Sequence, residues 1–211
     1  MSTAIVWGAR GGIGGAVFDK LVETGWQTIA VARMNAGLEA KTPYSYEADF
    51  CHQHEIQQVV TRVAQEIEEI DLFIYAAGDI AYKKVEELEL PVWHRMFEAN
   101  LCGPFLTVRS CLPLLSEAAH LFFIGAVSER LRLPGLTAYA AAKSGLEAFA
   151  EAFAKEQRKK HVTVVRPGAV ATKFWDKVPL KMPSNAASPE KVAQKILDAY
   201  EQGHQGHLDL I

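Results

Sequence analysis

The chain has 211 residues, 49% of them hydrophobic and 22% charged, with a formal charge of −3; these values suit one compact domain and exclude a disordered or fibrous chain. The acidic balance leaves no basic footprint for a phosphate backbone, so no nucleic-acid partner is expected; no apolar run is long enough to cross a bilayer and no charged leader opens the chain, so no membrane partner and a cytoplasmic location are expected. Cys51, Cys102 and Cys111 form no CxxC, and the histidines are scattered, so neither a disulfide framework nor a metal site is expected.

Short apolar runs alternate with longer stretches of helical period, the pattern of a parallel sheet covered by helices on both faces. Strands are expected at 4–7, 28–32, 45–48, 72–75, 121–125, 162–166 and 207–210, and amphipathic helices at 14–24, 52–69, 91–115, 139–159 and 189–202. The last helix is well marked: Ser188 is its N-cap, Pro189 its first residue, Glu190 its acidic first turn, and Gly203 ends it. No repeat or linker divides the chain, so residues 1–211 are read as a single domain.

The first strand runs into Trp7-Gly8-Ala9-Arg10-Gly11-Gly12-Ile13-Gly14, which opens the first helix. In that context a glycine cluster reads as a dinucleotide turn: backbone N–H groups and the positive end of the helix dipole face a pyrophosphate that only glycine lets approach. The spacing is GxxxGxG, from Gly8, Gly12 and Gly14. The second strand ends Val31-Ala32-Arg33, with no acid to hold a ribose 2′-hydroxyl. Arg33, with Arg10 as a second cation, is matched instead to a 2′-phosphate, which favours NADP(H) over NAD.

Tyr139-Ala-Ala-Ala-Lys143 lies at the start of the fourth helix, with both side chains on one face. A lysine ammonium so placed is expected to lower the phenol's pKa, and the tuned tyrosine can then pass a proton to or from a carbonyl oxygen as hydride moves. The irregular stretch 172–187, with Phe174, Trp175, Val178, Leu180 and Met182, is read either as a substrate lid or as a loop packed on its own domain.

Glycine turn, Arg33 and YxxxK, in this order, resemble the short-chain dehydrogenase/reductase family over nearly the whole chain. The resemblance implies an α/β fold, a single Rossmann-type doubly wound parallel sheet of about seven strands with helices on both faces. It further implies an NADP(H)-dependent enzyme moving hydride between nicotinamide and a small-molecule carbonyl or alcohol substrate. By the same resemblance Asp49 contacts the adenine, Ala76-Ala77-Gly78 corresponds to the family's Asn-Ala-Gly turn with its asparagine replaced, and Asn100 completes a proton relay to Lys143 through water. Pro167, Gly168, Val170 and Thr172 belong to the segment that receives the carboxamide.

The pattern breaks at Ala126, where the family carries a serine that hydrogen-bonds the substrate oxygen. Ser128, two residues on, either substitutes for it or caps the following loop. Dihydropteridine reductases, similar at Gly125-Ala126, make a pterin or quinonoid reductase an alternative, and a catalytically decayed NADPH-binding sensor or scaffold is a second. Apolar stripes on helices 91–115 and 139–159 point to a homodimer or homotetramer.

Overall fold

The computed structural model describes residues 1–210, apart from the side chain of Ser128. Seven parallel strands form one sheet in the order β3-β2-β1-β4-β5-β6-β7. They are β1 (Thr3–Trp7), β2 (Gln27–Ala32), β3 (Ser45–Glu47), β4 (Ile70–Tyr75), β5 (Leu115–Ile124), β6 (His161–Pro167) and β7 (Gly206–Leu210). The helices are α1 (Gly12–Glu23), α2 (Gln53–Glu66), α3 (Leu90–Phe97), α4 (Gly103–Cys111), α5 (Thr137–Glu156) and α6 (Pro189–Glu201). Strand order reverses between β1 and β4, and in such sheets the crevice at the carboxyl ends beside the reversal is the place for a ligand.

Every residue of β1 is buried, as a strand covered on both faces must be, which is why it reads as one apolar run. Alternate side chains serve the two layers. Ile5 and Trp7 pack with Ile56, Val59 and Val63 of α2, Val108 of α4 and Leu146, Ala150 and Phe153 of α5. Ala4 and Val6 pack with Val17, Phe18 and Leu21 of α1 and Val192, Ala193 and Ile196 of α6. Each fully buried Ile, Leu or Phe contributes about 2 kcal/mol by removal from water. The α6 cap forms as the sequence specifies: Ser188 Oγ accepts from the Lys191 N–H at 3.3 Å, and Gly203 ends the helix at φ +62°.

The expected helix over 91–115 is interrupted. Pro104 has no N–H to continue the ladder, and Glu98–Cys102 widens into a π turn in which the Gly103 N–H reaches the Glu98 carbonyl. The Ala99 carbonyl, released from Gly103, instead accepts the Tyr75 hydroxyl at 2.9 Å. Gly103 is required there, since a Cβ would lie 2.3 Å from that hydroxyl oxygen. The helical stretch also ends earlier than expected: β5 begins at Leu115, and its ladder to β4 shifts register between Ile70 and Leu72.

Candidate active site

The glycine turn is held by contacts that leave no room for side chains. The N–H groups of Gly8 and Ala9 both donate to the Val31 carbonyl, at 2.8 and 3.1 Å, and Gly11 donates to Gly8 at 2.8 Å. Gly8 has φ +95°, and a Cβ on it would sit 2.7 Å from the Ala77 nitrogen. A Cβ on Gly12 would meet Thr172 Cγ2 at 2.3 Å, and one on Gly14 would meet the Gly8 carbonyl oxygen at the same distance. Gly8, Gly12, Gly14, Ala77 and Thr172, read separately from the sequence, therefore converge on one floor at the start of α1, with Ile13 in its first turn.

Arg33, directly after β2, and Arg10, in the glycine turn after β1, are both exposed, and Arg10 Nη1 reaches across to donate to the Met34 carbonyl at 3.3 Å. Arg33 acts electrostatically on Asp49, whose Oδ1 accepts the Cys51 N–H at 2.9 Å. Partial burial works to raise the Asp49 carboxyl, but the Cys51 hydrogen bond and the charges of His52 and Arg33 leave it below its ordinary value.

The second group gathers around Gly78, where a Cβ would lie 2.9 Å from Asn100 Oδ1 and 3.7 Å from Lys143 Nζ. The π turn delivers Asn100, which is wholly buried; its Nδ2 donates to the carbonyls of Met96 and Asp79, both at 2.8 Å. Its Oδ1 has no partner among the described residues. A buried acceptor left open beside an ammonium group is a place where a bound water is worth its ordering cost.

Tyr139 and Lys143 occupy one face of α5 at 7% and 4% exposure. Lys143 Nζ lies 5.8 Å from the Tyr139 ring centre and donates to the Ile124 carbonyl at 2.8 Å. Burial lowers the lysine to about 8, with Glu147 on the next turn opposing the shift. Burial also raises the Tyr139 phenol, so the expectation that the lysine would lower it is not met in the free protein. The cause is desolvation of the phenol, while the lysine ammonium is directed at the Ile124 carbonyl.

The segment after β6 is pinned at both ends: Gly168 donates to the Leu210 carbonyl at 2.8 Å, and Val170 bridges Ala187. Pro167 closes β6 before it. Thr172 caps a short 3-10 turn, Lys173–Lys177, by accepting the Phe174 N–H at 3.4 Å. From this turn Trp175 Nε1 donates to the Val170 carbonyl at 2.8 Å and Phe174 packs 6.1 Å from the Tyr139 ring. Stretch 172–187 thus touches the tyrosine. Ala126 is buried at 8% exposure, whereas the side chain of Ser128 lies outside the described residues.

Asp79 escaped the sequence reading. Its carbonyl anchors Asn100, while its carboxylate, 16% exposed, pairs with Arg95 Nε at 2.8 Å and Lys177 Nζ at 2.5 Å. Its position directly after Gly78 was the available signal.

Sheet order, glycine floor and buried polar cluster at the carboxyl ends define a doubly wound α/β protein of the nicotinamide-dependent oxidoreductase class. The chain belongs to the short chain dehydrogenase family, whose model matches residues 2–183. It is 26% identical over 211 residues to D-beta-hydroxybutyrate dehydrogenase of Rhizobium meliloti, covering 92% of this chain and 82% of the relative. To the 3-oxoacyl-(acyl-carrier-protein) reductase of Escherichia coli it is 27% identical over 179 residues, covering 80% and 73%. The fold is shared with an alcohol dehydrogenase of Thermococcus sibiricus solved with 5-hydroxy-NADP, at TM-score 0.89 and 22% identity over 100% of this chain and 96% of that one. A short-chain dehydrogenase of Streptomyces avermitilis also aligns at TM-score 0.89, with 24% identity over 100% and 88%.

Proposed function

We propose that this chain is an NADP(H)-dependent oxidoreductase that interconverts a small carbonyl compound and its alcohol, with Tyr139 as general acid and base. The observation that carries the reading is the buried Tyr139–Lys143 pair on α5, beside Asn100 and next to a glycine floor on which any side chain would collide. That floor fits a dinucleotide pyrophosphate, and Arg33 with Arg10 fits a 2′-phosphate. NADP(H), when bound, supplies or accepts the hydride.

In the reducing direction Tyr139 donates its proton to the substrate oxygen, and its raised pKa keeps that proton available at neutral pH. Lys143, held by the Ile124 carbonyl, supplies positive charge to the tyrosinate that forms and has a donor free for a ribose. Asn100 Oδ1 is the acceptor through which a water can return a proton to Lys143. Gly8, Arg10, Gly12, Ile13, Gly14, Arg33, Asp49, Ala77, Gly78, Pro167, Gly168, Val170 and Thr172, with Tyr139 and Lys143, make up the cofactor site. The 172–187 stretch is its lid, and residues 1–211 work as one domain.

Ala126 favours a second reading, a pterin or quinonoid reductase, because alanine offers no donor to a substrate oxygen; Ser128 is the available substitute. A decayed NADPH-binding sensor is the third. Exposed Phe105 on α4, edge-on to Phe149 of α5 at 6.2 Å, marks the face for a homodimer or homotetramer, which light scattering tests. The deciding experiment follows NADPH and NADH oxidation by wild type and Tyr139→Phe with ketones, aromatic aldehydes, quinones and a quinonoid dihydropterin. Turnover by wild type alone, faster with NADPH, is expected. NADPH binding without turnover by either protein would leave the sensor reading in its place.

A further inference from the structure

Beside the catalytic cluster, an open pocket of about 380 Å³ is lined by Asp79, Tyr82, Lys83, Val92, Arg95 and Lys177, among others. Its volume is that of a small-metabolite site. Three elements meet there: the segment after β4 carries Tyr82 and Lys83, α3 carries Arg95, and the lid turn carries Lys177. The walls are braced. Tyr82 lies flat against Gly135, where a Cβ would come within 2.7 Å of its ring, and the Lys83 N–H donates to the Gly135 carbonyl at 2.8 Å.

Three cations face one carboxylate in this pocket, so the lining carries excess positive charge. Asp79 does not cancel it but organises it, tying Arg95 from one wall to Lys177 from the other. Only Nε of Arg95 is engaged, so the terminal nitrogens of its guanidinium, and the ammonium of Lys83, have no protein partner among the described residues. Asp79 joins the pocket to the reaction site through its carbonyl, which holds Asn100, and Lys177 does so through Phe174, over which it stacks at 5.8 Å.

We propose that this pocket is a subsite for an anionic oxygen group of the substrate, a carboxylate or a phosphate monoester, bound by Arg95, Lys83 and Lys177 while the carbonyl lies at Tyr139. The free edge of a guanidinium already anchored by Nε is a pre-positioned fork for either group. The proposal rests on the carbonyl-reductase reading and narrows it to acidic substrates.

The test uses the NADPH-loaded protein and a series of oxo acids of three to six carbons, their methyl esters, and the corresponding oxo-alkyl phosphates. Wild type is expected to favour acid or phosphate over ester in kcat/KM by about tenfold or more, the worth of a hydrogen bond to a charged group. The double variant Lys83→Gln, Arg95→Gln should pull that ratio towards one through KM, with the melting temperature checking the fold. Preference for phosphates over carboxylates, or the reverse, names the group. Esters reduced as readily as acids by wild type, or a preference that survives in the double variant, would overturn the subsite and leave the reductase reading standing. If no oxo compound is reduced, it is that reading which fails. Calorimetric titration with the same acids then judges the subsite: saturable binding lost in the double variant upholds it, and no saturable binding overturns it.

Discussion

Lys143 gives its ammonium to the Ile124 carbonyl at 2.8 Å and stands 5.8 Å from the centre of the Tyr139 ring, in a site where both side chains are buried. The consequence is a division of labour set by pH. Burial brings the lysine down to about 8 and pushes the tyrosine up, so near neutrality the free protein holds a charged lysine and a protonated phenol.

The proposed mechanism needs both protons, and both are present below about pH 8, so kcat/KM for carbonyl reduction is expected to fall as pH rises through about 8. Lys143→Met should abolish that limb, and Tyr139→Phe should lower kcat by about 10²- to 10⁴-fold, the usual worth of a positioned acid. A wild-type profile that stays flat from pH 7 to 10 would detach Lys143 from the chemistry.

Cofactor choice is expected to turn on Arg33. It is exposed and acts on nearby Asp49, so on the proposed NADP(H) reading Arg33→Ala takes one cation away from the 2′-phosphate without emptying a core position. A charge-assisted contact of about 1.5–3 kcal/mol predicts a KM for NADPH raised about ten- to hundredfold, with NADH little changed. Steady-state kinetics with both cofactors decide it; a parallel loss of both would mean that Arg33 serves the fold.

Gly14→Ala sets two effects against each other. Alanine is the better helix former by about 1 kcal/mol, but its Cβ would lie 2.3 Å from the Gly8 carbonyl oxygen, a backbone atom that can move only if the turn moves. Overpacking of this kind costs about 1–3 kcal/mol, so the collision wins. A lower melting temperature and weaker NADPH binding are expected, read by thermal unfolding and by quenching of protein fluorescence.

Most of the sheet could be read because parallel strands buried on both faces are continuous apolar runs, as in residues 4–7 of β1. The start of β5 could not: Ser116, Glu117 and His120 break the run, yet the first and last of these are buried. Nor was the π turn visible, since apolar Met96 and Phe97 before it and Leu101 within it continue a helical period. Of the site, the glycines and the Tyr–Lys spacing carry their geometry in sequence. The carbonyl of Ile124 and the pairing of Asp79 with Lys177, 98 residues away, exist only once the chain has folded.

His120 predicts how the fold responds to acid. It is 3% exposed, stacked on Phe122 at 4.1 Å, with Nε2 2.9 Å from Thr163 Oγ1. Burial, helped by His161 and His204, depresses it from 6.5 to about 3. Because the folded-state value lies below the unfolded one, the unfolded chain binds the extra proton between these limits. Stability from this residue is therefore full above pH 6.5 and declines as pH falls towards 3, by at most about 1.4 kcal/mol per pH unit. Below that, both states are protonated and the slope vanishes. His120→Asn, which cannot take up the proton, should start less stable because the stack on Phe122 is lost, yet lose less between pH 6.5 and 4.5. Urea titrations of both proteins at the two pH values measure the difference, and equal losses would show that acid acts through other groups.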